Sequence, residues 1–225
     1  MIYETPSGKH FGMLHIPRTG GRFLRTNLLE NGMKPVVWTP ANNVIEYEGR
    51  KLIHLTKREL FEYLDHLGEC KDLRDIPFYS ICRNPLDRFY SASNNIQSNL
   101  KSRMVSEESF LRIMEKEHIT VEKSSCSVKH EGLVRAPDSF FRFQTDYMDH
   151  DVDFMRYEEG FDIILEWLSD ELQTKLVMKE TRRVVDENEH VDQAKNITSD
   201  VLDLAKAYYI QDYIRFGYPI EEGNE

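Results

Sequence analysis

The apolar positions in the N-terminal part of the chain predict a strand, a tight loop and a helix. Residues 10–16 form a short apolar run typical of a buried strand, and the turn PRTGG follows at 17–21. Apolar residues at helical spacing come next, and the pair Asn31-Gly32 indicates where that helix ends. Residues 33–50 carry two prolines and little periodicity, so we expect a loop with at most a short strand.

Two further strand–helix pairs are expected before residue 100. Residues 51–55 have the pattern of a second strand, and Thr56 with Glu59 three positions on forms the sequence of a capping box, which predicts a helix start. Residues 77–82 (PFYSIC) are a continuous apolar and aromatic run, typical of a strand covered on both faces. Pro85 then suits the first position of a long helix.

The C-terminal half is less regular at its start. Residues 101–138 show a weak pattern, with one expected helix at 110–114 and a polar stretch at 122–132, and we interpret them as an insertion that is either mobile or faces a ligand. The elements expected beyond it are a strand at 152–157, a helix at 161–172 and a last helix from Thr198 to Gly217.

Strands that alternate with helices predict the α/β class. We expect a three-layer, P-loop-like fold, with a central, mostly parallel β-sheet flanked by helices. The chain has 225 residues, 40% of them hydrophobic, which is enough for one sizeable core. The prediction is a single domain over residues 1–225.

Charge and cysteine content narrow the function classes. The formal net charge of −10 argues against a general nucleic-acid or anionic-membrane binder, so an anionic ligand needs a local basic cluster. No apolar run approaches the roughly 18 to 20 residues of a membrane span, and the first nine residues are polar. The three cysteines lack CxxC spacing, which favours neither disulfides nor zinc. We expect a soluble, cytoplasmic protein.

The loop at 17–22 has the chemistry of a phosphate site. A glycine turn before a helix brings backbone N–H groups and the positive end of the helix dipole together. Gly20 and Gly21 allow close approach of an anion, and Arg18 and Arg22 add positive charge. The Walker A pattern with its Lys-Ser/Thr pair is absent, which disfavours an ATP or GTP hydrolase. On this segment alone, an ordinary tight turn is an equally good interpretation.

Residues 15–21, HIPRTGG, resemble the HIPKTGG signature of the carbohydrate-type sulfotransferase family. The resemblance implies that the loop binds the 5′-phosphosulfate of 3′-phosphoadenosine-5′-phosphosulfate (PAPS), whose product is PAP. Arg18 stands in the position of the family's lysine, beside the bridging oxygen of the bond that breaks. Arg22 stands where the family usually has a threonine. The implied donor contacts are Arg18, Thr19, Gly20, Gly21, Arg22 and Phe23.

A second motif follows the PFYSIC strand. Residues 83–91, RNPLDRFYS, resemble the family's RNPxDRxxS segment, which implies that Arg83 and Ser91 bind the 3′-phosphate of PAPS. The alternative is that Arg83 has a local role and that Asp87 and Arg88 pair on a surface. Two motifs in the family's order, each after a predicted strand, favour the first interpretation.

His54 is the candidate general base. It ends a predicted strand, as the two phosphate motifs do, and parallel α/β sheets gather ligands at the strand ends. An imidazole accepts a proton well near neutral pH, and His54-Leu55-Thr56 matches a His-x-Thr segment common in the family. A buried or capping role remains the alternative for His54, and His15 is expected to be structural. Other carboxylates left open as bases are Glu46, Glu48 and Asp87.

Weaker resemblances extend over most of the chain, at residues 151–158 and 208–218. Lys179, Arg182 and Arg183 form a basic patch that we interpret as solvated. The predicted function is sulfuryl transfer from PAPS to an acceptor hydroxyl, by resemblance that of a saccharide, without a metal. The alternatives are a non-catalytic nucleotide- or glycan-binding protein and, less favoured, a P-loop nucleotide kinase.

Overall fold

The computed structural model describes residues 1–36, 46–47, 50–68, 73–100, 140–179 and 197–220. The strands are Ile2–Glu4 (β1), His10–Leu14 (β2), Lys34–Pro35 (β3), Glu46–Tyr47 (β4), Arg50–Lys51 (β5), Phe78–Cys82 (β6) and Val152–Arg156 (β7). The α-helices are Gly21–Glu30 (α1), Lys57–Leu67 (α2), Pro85–Leu100 (α3), Phe161–Leu172 (α4), Ser199–Tyr208 (α5) and Ile210–Phe216 (α6). Short 3₁₀ helices are Leu52–His54, Thr145–Tyr147 and Tyr157–Glu159.

The chain forms two compact units, each built from two separate stretches of sequence. Unit 1 contains Met1–Cys82 and Asp146–Arg183, and unit 2 contains Arg83–Thr145 and Val184–Glu225. The single domain over residues 1–225 stays a prediction. The insertion expected at 101–138 lies outside the described residues.

Unit 1 contains a five-stranded sheet in the order β3-β1-β2-β6-β7. Strands β2, β6 and β7 are parallel, and β1 and β3 add an antiparallel edge. The α/β class and the parallel centre of the sheet are therefore confirmed. The strand β1 was missed because its polar surroundings hide a three-residue strand whose Ile2 and Tyr3 are completely buried.

Helices cover both faces of this sheet. On one face, Met13, Tyr79 and Ile81 share a buried cluster with apolar residues of α1 and α4. On the other, the Phe78 ring covers Gly12 and lies 5.5 Å from the Phe61 ring of α2, measured between centroids. Each fully buried large apolar side chain contributes about 1.5–3 kcal/mol. Unit 1 thus has the predicted helix–sheet–helix layers, and the strand expected at 77–82 is confirmed.

The strand predicted at 51–55 is wrong, whereas the cap after it is right. Only Arg50–Lys51 is extended, in a two-stranded ribbon with β4, and Leu52–His54 is a 3₁₀ turn. The main sheet has no place for this segment because β6 pairs directly with β2. Thr56 and Glu59 form the complete capping box, with hydrogen bonds of 2.9 and 3.1 Å.

The helix predicted from Thr198 to Gly217 is two helices that meet at Tyr209. Tyr209 is buried in unit 2, and its hydroxyl donates a 2.7 Å hydrogen bond to the backbone oxygen of Phe141. This tertiary contact overrides a continuous helical pattern. The end at Gly217 is confirmed, since that residue has the left-handed φ of 65° typical of a helix C-terminus.

Candidate functional site

The loop between β2 and α1 has an unusual backbone. Arg18 has φ of 71° and Gly20 has φ of 81°, so two of three successive residues are left-handed. A left-handed conformation costs a non-glycine residue about 1–2 kcal/mol. Buried Thr19, whose hydroxyl donates to the Ile16 carbonyl at 2.8 Å, helps to hold the turn. The loop conformation is therefore imposed by its surroundings, as is common where a backbone binds ligands.

The N-terminus of α1 keeps its positive character. Gly20 is the N-cap, no side-chain hydrogen bond caps this end, and the first turn of the helix has no acidic residue. The backbone N–H groups of the first turn and the helix dipole thus face no compensating negative side chain on α1. Arg22 is exposed at this end, and Phe23 is buried with its ring 4.4 Å from that of Phe161. This geometry suits an anion.

Aromatic and imidazole rings crowd both glycines of the loop. A Cβ atom on Gly20 would lie 2.4 Å from the Phe161 ring and 3.0 Å from the Tyr157 ring. A Cβ atom on Gly21 would lie 2.3 Å from the His15 ring. The PRTGG turn therefore needs glycine for packing as well as for its backbone angles.

The two histidines expected near the loop lie against each other. The rings of His15 and His54 meet edge to face, with centroids 5.3 Å apart. The prediction that His54 ends a strand is wrong, because His54 is the last residue of a 3₁₀ turn. The start of α2 nevertheless brings it beside His15, whose imidazole packs on Gly21. The packing of His15 agrees with a structural role.

The imidazole of His15 is neutral at physiological pH. Burial lowers its pKa well below the ordinary 6.5, and the neighbouring His54, Arg25 and N-terminal amine lower it further. Its Nδ1 atom is buried and has no hydrogen-bond partner within the described part of the chain. His54 therefore faces an uncharged ring.

We expect acid to destabilise the protein through His15. Its native pKa lies below the unfolded value of 6.5, so the unfolded chain takes up a proton first as the pH falls. The free energy of unfolding should drop below pH 6.5 by up to about 1.4 kcal/mol per pH unit. Urea unfolding of the wild type and of H15N at several pH values measures this slope. Partly exposed His10 supplies the control H10N, and an unchanged slope in H15N would refute the assignment.

In unit 2, the backbone of Arg83 is held by a side-chain amide. Its N–H donates to Oε1 of Gln144 at 2.9 Å, and Nε2 of Gln144 donates to its carbonyl at 2.8 Å. The carboxylate of Asp212 in turn accepts the backbone N–H groups of Gln144 and Thr145, each at 2.9 Å. The start of α3 is capped by Oδ1 of Asn84, which accepts the N–H of Leu86 at 3.0 Å. Arg83 thus sits on a well-fixed backbone.

Two members of the second motif are buried in unit 2. Arg88 is completely buried and donates to the Phe140 carbonyl at 3.0 Å, so it does not lie on the surface. Ser91 is 4% exposed on α3. Burial raises the pKa of Asp212, while hydrogen bonds to its carboxylate and the charge of Arg88 act in the opposite direction. The phosphate roles of Arg83 and Ser91 stay predictions.

Sequence reasoning missed Gln144 and gave Asp212 no role beyond its place in a closing helix. Nothing in the local sequence marks Gln144, because its partner lies 61 positions away. Among the other candidates, Lys179 uses its backbone N–H to bind Asn27 at 2.8 Å. Residues outside the described part include Glu48, Arg182 and Arg183, and the side chain of Glu46 is likewise not described.

The described residues allow two further statements. They contain no group of three or more His, Cys, Asp or Glu side chains arranged to hold a metal ion. Across the same ranges, no helix combines the length and the apolar character needed to cross a membrane.

The chain was also compared with known proteins. No protein-family model and no curated protein matches it. Among solved structures, it is similar to the crystal structure of a sulfotransferase from Alicyclobacillus acidocaldarius, with 13% sequence identity and a TM-score of 0.44. The likeness covers 91% of this chain and 92% of that chain. A likeness this weak does not carry the activity of one protein over to the other.

Proposed function

We propose that this protein is a sulfotransferase that moves the sulfuryl group of PAPS to an acceptor hydroxyl. The observation that carries the proposal is the helix N-terminus at Gly20, which follows a left-handed loop and has neither a side-chain cap nor an acidic residue in its first turn. Such a site favours an anion such as a phosphosulfate or a phosphate. The HIPRTGG and RNPLDRFYS segments supply the choice of PAPS among nucleotides.

Separate groups of residues are proposed for the two anionic ends of the donor. Arg18 and the backbone of Thr19, Gly20, Gly21, Arg22 and Phe23 are proposed to bind the 5′-phosphosulfate. Arg83 and Ser91 are proposed to bind the 3′-phosphate. The neutralising charges are all cationic side chains and backbone N–H groups, so the proposal needs no metal.

His54 is proposed as the general base. In the transfer, the acceptor oxygen forms a bond to sulfur while the bond from sulfur to the 5′-phosphate oxygen breaks, and PAP leaves with that oxygen. His54 takes the proton of the acceptor hydroxyl, and Arg18 stabilises the negative charge that develops on the leaving oxygen. Support comes from the half-buried position of His54 beside the neutral ring of His15.

The proposal also names the class of acceptor and the cellular setting. A saccharide hydroxyl follows from the family that the motifs resemble. A reducing, cytoplasmic setting is proposed from the three cysteines, an odd number without CxxC spacing.

Thermal melting with nucleotides tests the proposal. PAP at 100 times its Kd should stabilise the protein by about 2.7 kcal/mol, whereas ATP with Mg²⁺ should give little shift. Equal stabilisation by ATP with Mg²⁺ would contradict a sulfotransferase and favour a kinase. The variant Arg83→Ala is the control, since its PAP shift should fall to the shift that 5′-AMP gives, while its fold is kept.

One observation favours a second candidate, a nucleotide-binding protein without turnover. Arg18 replaces the family's lysine and is itself left-handed, and a guanidinium fork is not interchangeable with an ammonium group at a crowded transition state. Transfer of labelled sulfate from PAPS to a panel of saccharide, phenol and alcohol acceptors decides between the two. A binder would melt at higher temperature with PAP and transfer no label.

A further inference from the structure

We propose that Gln144 is a positioning residue for the 3′-phosphate, acting through the backbone of Arg83. The inference rests on the proposed function, because it assumes that Arg83 binds this phosphate. It adds a residue that lies outside both sequence motifs and that touches no part of the donor in the proposal.

The contact between Gln144 and Arg83 has the form of a peptide pairing. A carboxamide donates and accepts in one plane, so Gln144 can satisfy both the N–H and the carbonyl of Arg83, at 2.9 and 2.8 Å. The ladder between β6 and β7 ends at Cys82, one residue earlier. Gln144 thus fixes the backbone of Arg83 at the first position beyond the paired residues of β6. Only Asn and Gln side chains offer both a donor and an acceptor in this arrangement.

The pairing is itself held in place from the C-terminal helix. Gln144 and Asp212 are both completely buried, and the carboxylate of Asp212 accepts the backbone N–H groups of Gln144 and Thr145. Two hydrogen bonds from successive backbone N–H groups to one buried side chain hold the loop at Gln144 and Thr145. Arg83 is therefore fixed by a chain of contacts that begins on α6.

Fixing the backbone of Arg83 limits where its guanidinium can lie. A displacement of about 1 Å in a positioning group can cost on the order of 10²-fold in the step it serves. Loss of the Gln144 pairing should therefore weaken contacts to the 3′-phosphate and leave contacts to the rest of the nucleotide unchanged.

The test compares binding of PAP with binding of 5′-AMP, which lacks the 3′-phosphate. In Gln144→Glu, an ionised carboxylate can accept the N–H of Arg83 but cannot donate to its carbonyl, so the titration is made at a pH that keeps the carboxyl ionised. We expect the preference for PAP over 5′-AMP to fall about tenfold, with the Kd for 5′-AMP unchanged within about twofold. Isothermal titration gives both constants, and circular dichroism checks the fold.

Two controls make the outcome specific. Gln173→Glu makes the same chemical change at an exposed glutamine whose Oε1 accepts from Lys9, and it should keep the wild-type preference. In an Arg83→Ala background, Gln144→Glu should cause no further loss of preference, because Gln144 acts through Arg83.

The possible failures are distinguishable. A wild type without any preference for PAP would refute the proposed function itself. A wild type with the preference, and a Gln144→Glu variant that keeps it, would refute the positioning role alone. If Gln144→Glu does not fold, Gln144→Asn, a neutral amide one methylene shorter, takes its place. Equal losses for PAP and 5′-AMP, or loss of fold in both variants, would make Gln144 a purely structural residue and overturn the inference.

Discussion

His54→Ala should lower the turnover number by about 10²–10⁴-fold, the usual contribution of a positioned general base. The affinity for PAP should stay within about twofold of wild type, because the proposed donor contacts lie on the loop after β2 and on the Arg83 segment. Labelled sulfate transfer gives the first quantity, and calorimetric titration with PAP gives the second. Added imidazole should restore part of the lost turnover by replacing the missing base.

The matched control is His66→Ala. His66 is exposed in the last turn of α2, so its loss should change neither turnover nor binding. Unchanged turnover in His54→Ala would eliminate His54 as the base and leave Glu46, Glu48 or Asp87 as candidates. A parallel fall in PAP affinity would instead indicate that His54 supports the loop, as its edge-to-face contact with His15 allows.

Local signals in the sequence predicted the parts of the candidate site that depend on neighbouring residues. The tight turn at Gly20 and Gly21, the capping box at Thr56 and the proline at the start of α3 each follow from sterics or hydrogen bonds within a few positions. For the same reason the strand β6 was predicted almost to the residue, since a bounded run of apolar residues marks a buried strand.

The remaining parts depend on contacts that no local pattern encodes. A short apolar run such as 51–55 cannot be told apart from other buried segments by periodicity, and here β6 takes the place beside β2. The break at Tyr209 reflects a hydrogen bond to Phe141, 68 positions away. The burial of Arg88, which separates it from an ordinary surface arginine, is likewise a product of tertiary packing.

The net charge of the chain and the charges near the start of α1 lead to different expectations for anion binding. A net charge of −10 argues against binding anions in general, whereas the first turn of α1 has no acidic residue and Arg22 is exposed beside it. The net value counts every side chain equally, but an anion at a helix terminus responds to the groups within a few ångströms. Specific anion binding on an acidic protein is therefore consistent with both observations.

Gly20→Ala should cost about 2–5 kcal/mol of unfolding free energy and should weaken PAP binding as well. The left-handed φ of 81° accounts for about 1–2 kcal/mol of this loss. The rest, about 1–3 kcal/mol, comes from overpacking, because the new Cβ would lie 2.4 Å from the Phe161 ring and 3.0 Å from the Tyr157 ring. Relief of that overlap requires the loop to move away from Tyr157 and from the start of α4.

Gly8→Ala separates the two causes. Gly8 has nearly the same backbone, with φ of 84°, but no atom lies within 4 Å of the position its Cβ would take. It should therefore lose only the backbone part, about 1–2 kcal/mol, and keep full PAP affinity. Urea unfolding with a common m-value measures both losses. Equal destabilisation of the two variants would show that the rings beside Gly20 move aside at no cost. Unchanged PAP binding in Gly20→Ala would show that the loop does not need its present backbone to hold the donor.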